Sequence, residues 1–311
     1  MGNQEGLRKP GFPYNKLRPL FEKNLDKFDW YYLSLNPNAI HIFEKNPEKI
    51  DWLWLSRNPN AIHLLEQNQD KIDWVELSSN PNAIGLLEQN PEKIDWCHLS
   101  KNPNAIHLLE QSQDKIDWDI LSLNPNAIKL LEQNPEKINW SWLSRNPNAL
   151  KLLEKNPEKI YYMNLVQNPI AISHLEKNHE KIDWLLLSLN PNAIHLLEKN
   201  QDKICWYRLS KNPNAIKLLE RNQDKIDWCI LSLNPNAIQL LEQNPEKIDW
   251  KLIWMNPSIF GYDYKEIRKW GYDTGIFEEM MAKIFHPKNI HKFADYKLGM
   301  GYDEEIDYYT E

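Results

Sequence analysis

The chain has 311 residues, 41 % of them hydrophobic, which is enough to build a core and excludes an intrinsically disordered tail. A net charge of -7, from 44 acidic and 37 basic side chains, argues against nucleic acid or an anionic membrane as the main partner, because both need a positive field. Cys97, Cys205 and Cys229 are odd in number and lack CxxC spacing, so they indicate neither a disulfide framework nor a zinc site and fit a reducing compartment.

Taken in chain order, the first twenty residues contain no apolar run of signal-peptide length, and no later stretch reaches the roughly 18 apolar residues of a membrane span. The expectation is a soluble intracellular protein that does not act at a membrane. Residues 1–29 are expected to form a tail and a capping repeat. Within them "PLFEKNLDKFD" (19–29) follows the repeat unit from Leu20 on, but Arg18 replaces an expected Ile and Tyr14-Asn15 replaces Asn-Pro.

Residues 30–257 form an array. Trp30, Trp52, Trp74, Trp96, Trp118, Trp140, Trp184, Trp206, Trp228 and Trp250 stand 22 residues apart, with Tyr162 filling the one vacant step. A fixed period of this length signals a solenoid or array. In the unit Trp52–Asp73, "WLWLSRNPNAIHLLEQNQDKID", Asn58-Pro59 breaks one helix and predicts the start of the next near Pro59 or Ala61. Apolar Ala61, Ile62, Leu64 and Leu65 fall at helical spacing, Asn68 reads as a left-handed stop, and Asp73 caps a further helix from Trp74 to about Ser79. Two helices in 22 residues is tight, so one is expected to shrink to a 3₁₀ turn. A strand-plus-helix unit is the competing assignment, because Ile72 and Trp74 alternate with Asp73.

The repeat spanning Tyr161–Lys181 departs most, with Tyr161 for the capping Asp, Val166 for Ser and Ile170 for the second Asn. Repacking is the plainer reading of these changes and a partner-binding patch the sharper one. Residues 258–311 are expected to be a C-terminal cap of two or three helices with an acidic end, since eight of the nine glycines lie in the two terminal regions and helical spacing recurs in "TGIFEEMMAKIF".

The stretch "NPEKIDWLWLSRNPNA" (46–61) resembles the leucine-rich repeat variant, which implies a right-handed superhelix alternating α and 3₁₀ helices. "NPNAIHLLE" and "MAKIFHPKNIHKF" (281–293) are similar to repeat proteins of giant DNA viruses of the mimivirus type, over nearly the whole chain. That resemblance implies a viral origin and brings no activity or binding residues.

For chemistry, copied polar residues make a poor catalytic site, and neither a phosphate loop nor an HExxH or GxSxG motif occurs. No catalytic, cofactor-binding or metal-ligating residues are expected. His63 and Glu66 share a helical spacing, but the histidine column also holds Gly85, Lys129, Ser173 and Gln239, so it reads as solvated surface. The lysine column (Lys49, Lys71, Lys93 and onward) is the best case for nucleic acid, although neighbours such as Glu48 and Asp70 oppose its field. The Trp and Tyr162 ladder has invariant apolar neighbours such as Ile50, Leu55 and Ile62, and therefore reads as core.

The pair after each Trp changes freely from repeat to repeat. The candidate partner-binding residues are Tyr31, Tyr32, Leu53, Trp54, His98, Trp142, Leu186, Tyr207 and Arg208, with Tyr161 and Ile170 from the odd repeat. The sequence thus predicts an all-α, right-handed α-solenoid of about ten 22-residue repeats with capped ends, drawn out into a rod or arc on the order of 80 to 100 Å long. The expected role is a non-enzymatic scaffold binding a viral or host protein in infected-cell cytoplasm or in the virion. Nucleic-acid binding along the lysine column and a structural virion component are the alternatives.

Overall fold

A computed structural model describes residues 16–261, 268–269 and 272–275. Most of the expected C-terminal cap, including "TGIFEEMMAKIF" and "KNIHKFADYKL", lies outside the described residues. Residues 17–261 form one compact unit, so the terminal 3₁₀ turn Pro257–Ile259 and Phe260–Gly261 belong with the array rather than with a cap.

Each repeat is a short α-helix, an Asn-Pro turn, a second short α-helix and a 3₁₀ turn, as in Trp52–Arg57, Ile62–Gln67 and Gln69–Lys71. The all-α class and the 22-residue period hold across the described repeats, with a 3₁₀ helix, Leu252–Met255, in place of the first α-helix after Trp250. The 3₁₀ turn is a third element rather than a shrunken second helix. Among the described residues the only strands are Lys16–Leu17 and Phe260–Gly261, which rules out a strand in every repeat.

Local chemistry sets the boundaries. The Asp51 carboxylate accepts from the backbone N–H of Trp54 at 3.2 Å and starts the first helix. The second helix begins at Ile62, later than Pro59, because the Asn58 side-chain oxygen takes the Asn60 N–H at 3.0 Å and holds Pro59-Asn60 in a turn. Asn68 is not left-handed: its φ is -135°, and its amide instead satisfies the Leu64 carbonyl at 2.8 Å. Helices this short do not persist alone; Leu55, Ala61, Leu65 and Leu77, all 0 % exposed, supply the packing that holds them.

Adjacent repeats are tied by hydrogen-bonded ladders. The buried Asn58 amide donates to the Ser34 and Asn36 carbonyls of the preceding repeat at 3.2 and 3.1 Å, and Asn60 donates to the Pro37 carbonyl at 2.9 Å. The Ser56 hydroxyl donates to the Trp52 carbonyl and accepts from the N–H of Asp73, the residue that caps the first helix of the next repeat. A buried polar side chain that bonds three or more backbone groups is costly to replace, which explains the constant Ser-x-Asn-Pro spacing. Val166 and, at residue 254, Trp254 stand in the Ser column and break its ladder, and both are fully buried.

The two ends of the array meet. The Asn36 amide donates to the carbonyls of Trp254 and Asn256 at 2.9 and 3.0 Å, and Asn38 donates to the Pro257 carbonyl at 3.0 Å, so the first repeat takes the place after the last. The segment around Trp250 supplies the first half of an eleventh repeat and residues 17–29, with the helix Pro19–Glu22 and the 3₁₀ turn Leu25–Lys27, supply its second half. Phe21 packs edge-on against Trp250 and Trp254, the Trp254 indole N–H donates to the Lys27 carbonyl at 2.8 Å, and the Arg18 N–H donates to the Ile259 carbonyl at 2.9 Å. Residues 19–29 do cover an apolar end, but the end they cover is that of the C-terminal repeat. The array is therefore a closed ring of eleven repeats, each turning by about 33° (360°/11), and not an open rod or arc.

Candidate interaction surface on the inner wall

In a closed ring, elements that crowd together lie at the smaller radius. The first helices of neighbouring repeats run side by side, as Trp52–Arg57, Trp74–Ser78 and Trp96–Lys101 do. The second helices reach one another through long side chains, as in His63 to Glu44 at 2.9 Å and Arg221 to Glu198 at 2.7 Å. The Trp-bearing helices thus form the inner wall. Eleven helices spaced about 8–10 Å apart put their axes on a circle about 28–35 Å across, and helices about 10–12 Å thick leave an opening of roughly 17–25 Å.

On each inner helix but one the side chain after the ladder aromatic is exposed and the next one is half-buried. Tyr31, Leu53, Leu185 and Tyr207 are 46 %, 44 %, 50 % and 57 % exposed, whereas Tyr32, Trp54, His98, Leu186 and Arg208 are half-buried. The order inverts once, where Ser141 is half-buried and Trp142 is exposed. The candidate pairs therefore split into a contact column and a column packed between repeats. Trp54 belongs to the second: it meets Tyr31 edge-on at 5.7 Å, and its indole nitrogen is buried without a partner.

In the odd repeat Tyr161 and Ile170 are exposed, and so is Met163 at 66 %, which the residue-by-residue reading missed. Val75, a member of one of the variable pairs, is exposed as well. Both follow a ladder aromatic directly, and that register is the signal that finds them. Tyr161 supplies no side-chain cap to its helix, and neither does Cys205 at the equivalent position.

The Trp and Tyr162 ladder is wall, although each ring is half-buried and packed against the core rather than enclosed in it. Lysines lie over rings of the ladder: Lys71 over Trp52, Lys93 over Trp74 and Lys115 over Trp96 stand at 4.9, 4.5 and 4.7 Å, and Lys27 covers Trp250 across the closure at 4.1 Å. Lys27 and the column from Lys71 to Lys247 thus make cation–π contacts within the ring. His63, His107 and His195 pair with Glu44, Glu88 and Glu176 of the preceding repeat, not with a glutamate on their own helix.

Burial and then the Asp249 carboxylate push the Cys229 thiol up to about 11, and Cys97 is raised in the same way by burial and Asp117. Thiols held protonated are the opposite of a nucleophilic thiolate. Among the described residues no helix is long and apolar enough to cross a membrane.

Fold and surface define a closed ring of helical repeats with one variable column, rich in large apolar side chains, on its inner wall. Comparison with protein-family models, curated proteins and solved structures finds no match.

Proposed function

We propose that the ring is a non-enzymatic protein-interaction scaffold that holds an apolar segment of a partner protein against its inner wall. What supports this is the separation of roles: the invariant residues are occupied by the core, the ladders and the lysine–Trp contacts, and of the exposed columns that vary it is the inner one that carries large apolar side chains. Tyr31, Leu53, Val75, Met163, Leu185 and Tyr207 put large apolar side chains in that column. An opening of roughly 17–25 Å admits an α-helix about 10–12 Å thick. The likeness to giant-virus repeat proteins makes the partner a viral or host protein of an infected cell, met in the cytoplasm or the virion.

Affinity purification from infected cells tests the reading. A partner recovered with the wild-type ring and lost with Leu53→Ser, Leu185→Ser and Tyr207→Ser, at unchanged thermal stability, supports it; equal recovery with the triple variant sinks it. Nucleic-acid binding along the lysine column loses support from the lysine–Trp contacts, and retention on single-stranded RNA that falls with salt would revive it. A purely structural virion role requires the protein at high copy number in purified particles.

A further inference from the structure

In so regular a ring, a cluster of unlike donor groups stands out, and residues 95–98 hold one. The Asp95 carboxylate caps its helix, accepting from the His98 backbone N–H at 2.8 Å, and the His98 ring folds back so that Nδ1 lies 2.8 Å from the same oxygen. Cys97 stands between them in the exposed inner column. A carboxylate oxygen, the Cys97 sulfur and an imidazole nitrogen all lie within 4.8 Å of one another. Asp117, at the capping position of the next repeat, is the acidic neighbour that, after burial, raises the pKa of the same thiol. Across the ring the set recurs incompletely: Asp227, Cys229 and Asp249 match Asp95, Cys97 and Asp117, with the Cys229 thiol 3.2 Å from Asp249, but Ile230 stands where His98 would be.

We propose that Asp95, Cys97 and His98 form a binding site for a divalent transition-metal ion of the zinc class, with a fourth position open to the lumen. The mixed O, S and N donor set selects this class, because thiolate and imidazole suit zinc and cobalt(II) whereas magnesium and calcium demand oxygen ligands. Sequence reasoning expected no metal ligands, since no CxxC or HExxH spacing is present; the Asp-x-Cys-His spacing works because one helical turn returns residue 98 above residue 95. Metal–ligand bonds of about 2.0–2.3 Å set tetrahedral donor atoms roughly 3.2–3.8 Å apart. The Asp95–His98 contact must open and the widest separation must close. The His98 and Asp95 side chains are 39 % and 36 % exposed, so rotation in solvent achieves this without disturbing the core. On binding, the Cys97 S–H bond breaks, its proton passes to solvent and the sulfur lone pair forms the metal–sulfur bond.

Cobalt(II) titration of the full-length protein, reduced with a non-chelating phosphine, reads the site directly. The expected result is one equivalent bound, with thiolate-to-cobalt charge-transfer absorption and the intense visible bands of a tetrahedral ion, displaced by zinc and indifferent to magnesium or calcium. Cys97→Ser removes the charge-transfer band, and His98→Ala weakens binding at least about tenfold. Cys229→Ser leaves the band in place. Both ligand columns accept many residue types around the ring, so these variants keep the fold, as far-ultraviolet circular dichroism verifies. Ile230→His completes the second set and raises the stoichiometry to two. A titration without charge transfer, a band that survives Cys97→Ser, weak binding at the exposed His–Glu pairs alone, or a stoichiometry that stays at one in Ile230→His overturns the proposal.

Discussion

Replacing Asn36 by Ala distinguishes a closed ring from an open array. Asn36 is 0 % exposed; its amide donates across the closure to the Trp254 and Asn256 carbonyls, and its side-chain oxygen accepts from the Asn38 N–H at 3.0 Å. Asn124, in mid-array and 1 % exposed, makes the equivalent three bonds to the Ser100 and Asn102 carbonyls and the Asn126 N–H. In either case Ala leaves one buried carbonyl (Trp254 or Ser100) and one N–H without their side-chain partner, and takes one of two donors from the Asn256 or Asn102 carbonyl, which keeps the Ile259 or Ala105 N–H. At about 1–3 kcal/mol for each fully desolvated group, and with non-additivity, the loss is about 3–5 kcal/mol. For a domain of this size that lowers the Tm by roughly 6–20 °C. In an open array Asn36 would face water at a free end and lose only its local turn bond, about 1 kcal/mol. Paired thermal scans of Asn36→Ala and Asn124→Ala are expected to show similar shifts; a shift for Asn36→Ala below a third of that for Asn124→Ala would refute the closure.

Cys205→Asp restores the missing helix cap, with the Arg208 N–H as its donor, and should stabilise the ring by about 0.5–2 kcal/mol in urea unfolding; destabilisation would contradict the capping argument. Trp54→Phe removes an indole N–H that has no partner and is expected to change stability by less than about 1 kcal/mol, whereas Trp254→Phe deletes the bond to the Lys27 carbonyl and should cost about 2–3 kcal/mol. Equal effects in the same assay would disprove that difference. Burial, and then the Lys45 charge, hold His41 below its ordinary 6.5, against the Asn38 backbone and Glu44; its ring lies 5.5 Å from Phe260 at the closure. The unfolded chain therefore binds the proton first, so the His41 contribution is complete above about pH 6.5 and is lost as the pH falls below it. Tm measured from about pH 7.5 to 5.5 should fall less in His41→Gln than in the wild type, and identical slopes would remove His41 from the account.

The period, the helix class and the wall role of the ladder were legible because burial repeats the same demand at every step: Ile50, Leu55 and Trp52 recur where the core needs them. The contact column was legible only as a pair, because nothing local separates Leu53 from Trp54. Which of them faces the lumen depends on the curvature of the ring. Of the two boundaries of the second helix, the Ala61 start and the Asn68 stop were legible, but the left-handed conformation expected of Asn68 was not, because its side chain is spent on the Leu64 carbonyl. Closure was hidden for a related reason. The fragment "PLFEKNLDKFD" looks like a degenerate end when read alone, and its partner half lies more than two hundred residues away.

The central claim is that the array closes, and spin-label distances test it most directly. In a background with Cys97→Ser and Cys205→Ser, labels on Cys229 and Tyr31→Cys lie two repeats apart across the closure; labels on Tyr31→Cys and Val75→Cys, with Cys229→Ser, lie two repeats apart along the chain. The account predicts the same short distance distribution for both pairs. A Cys229–residue 31 distance far longer than the residue 31–75 distance would show an open solenoid and contradict it.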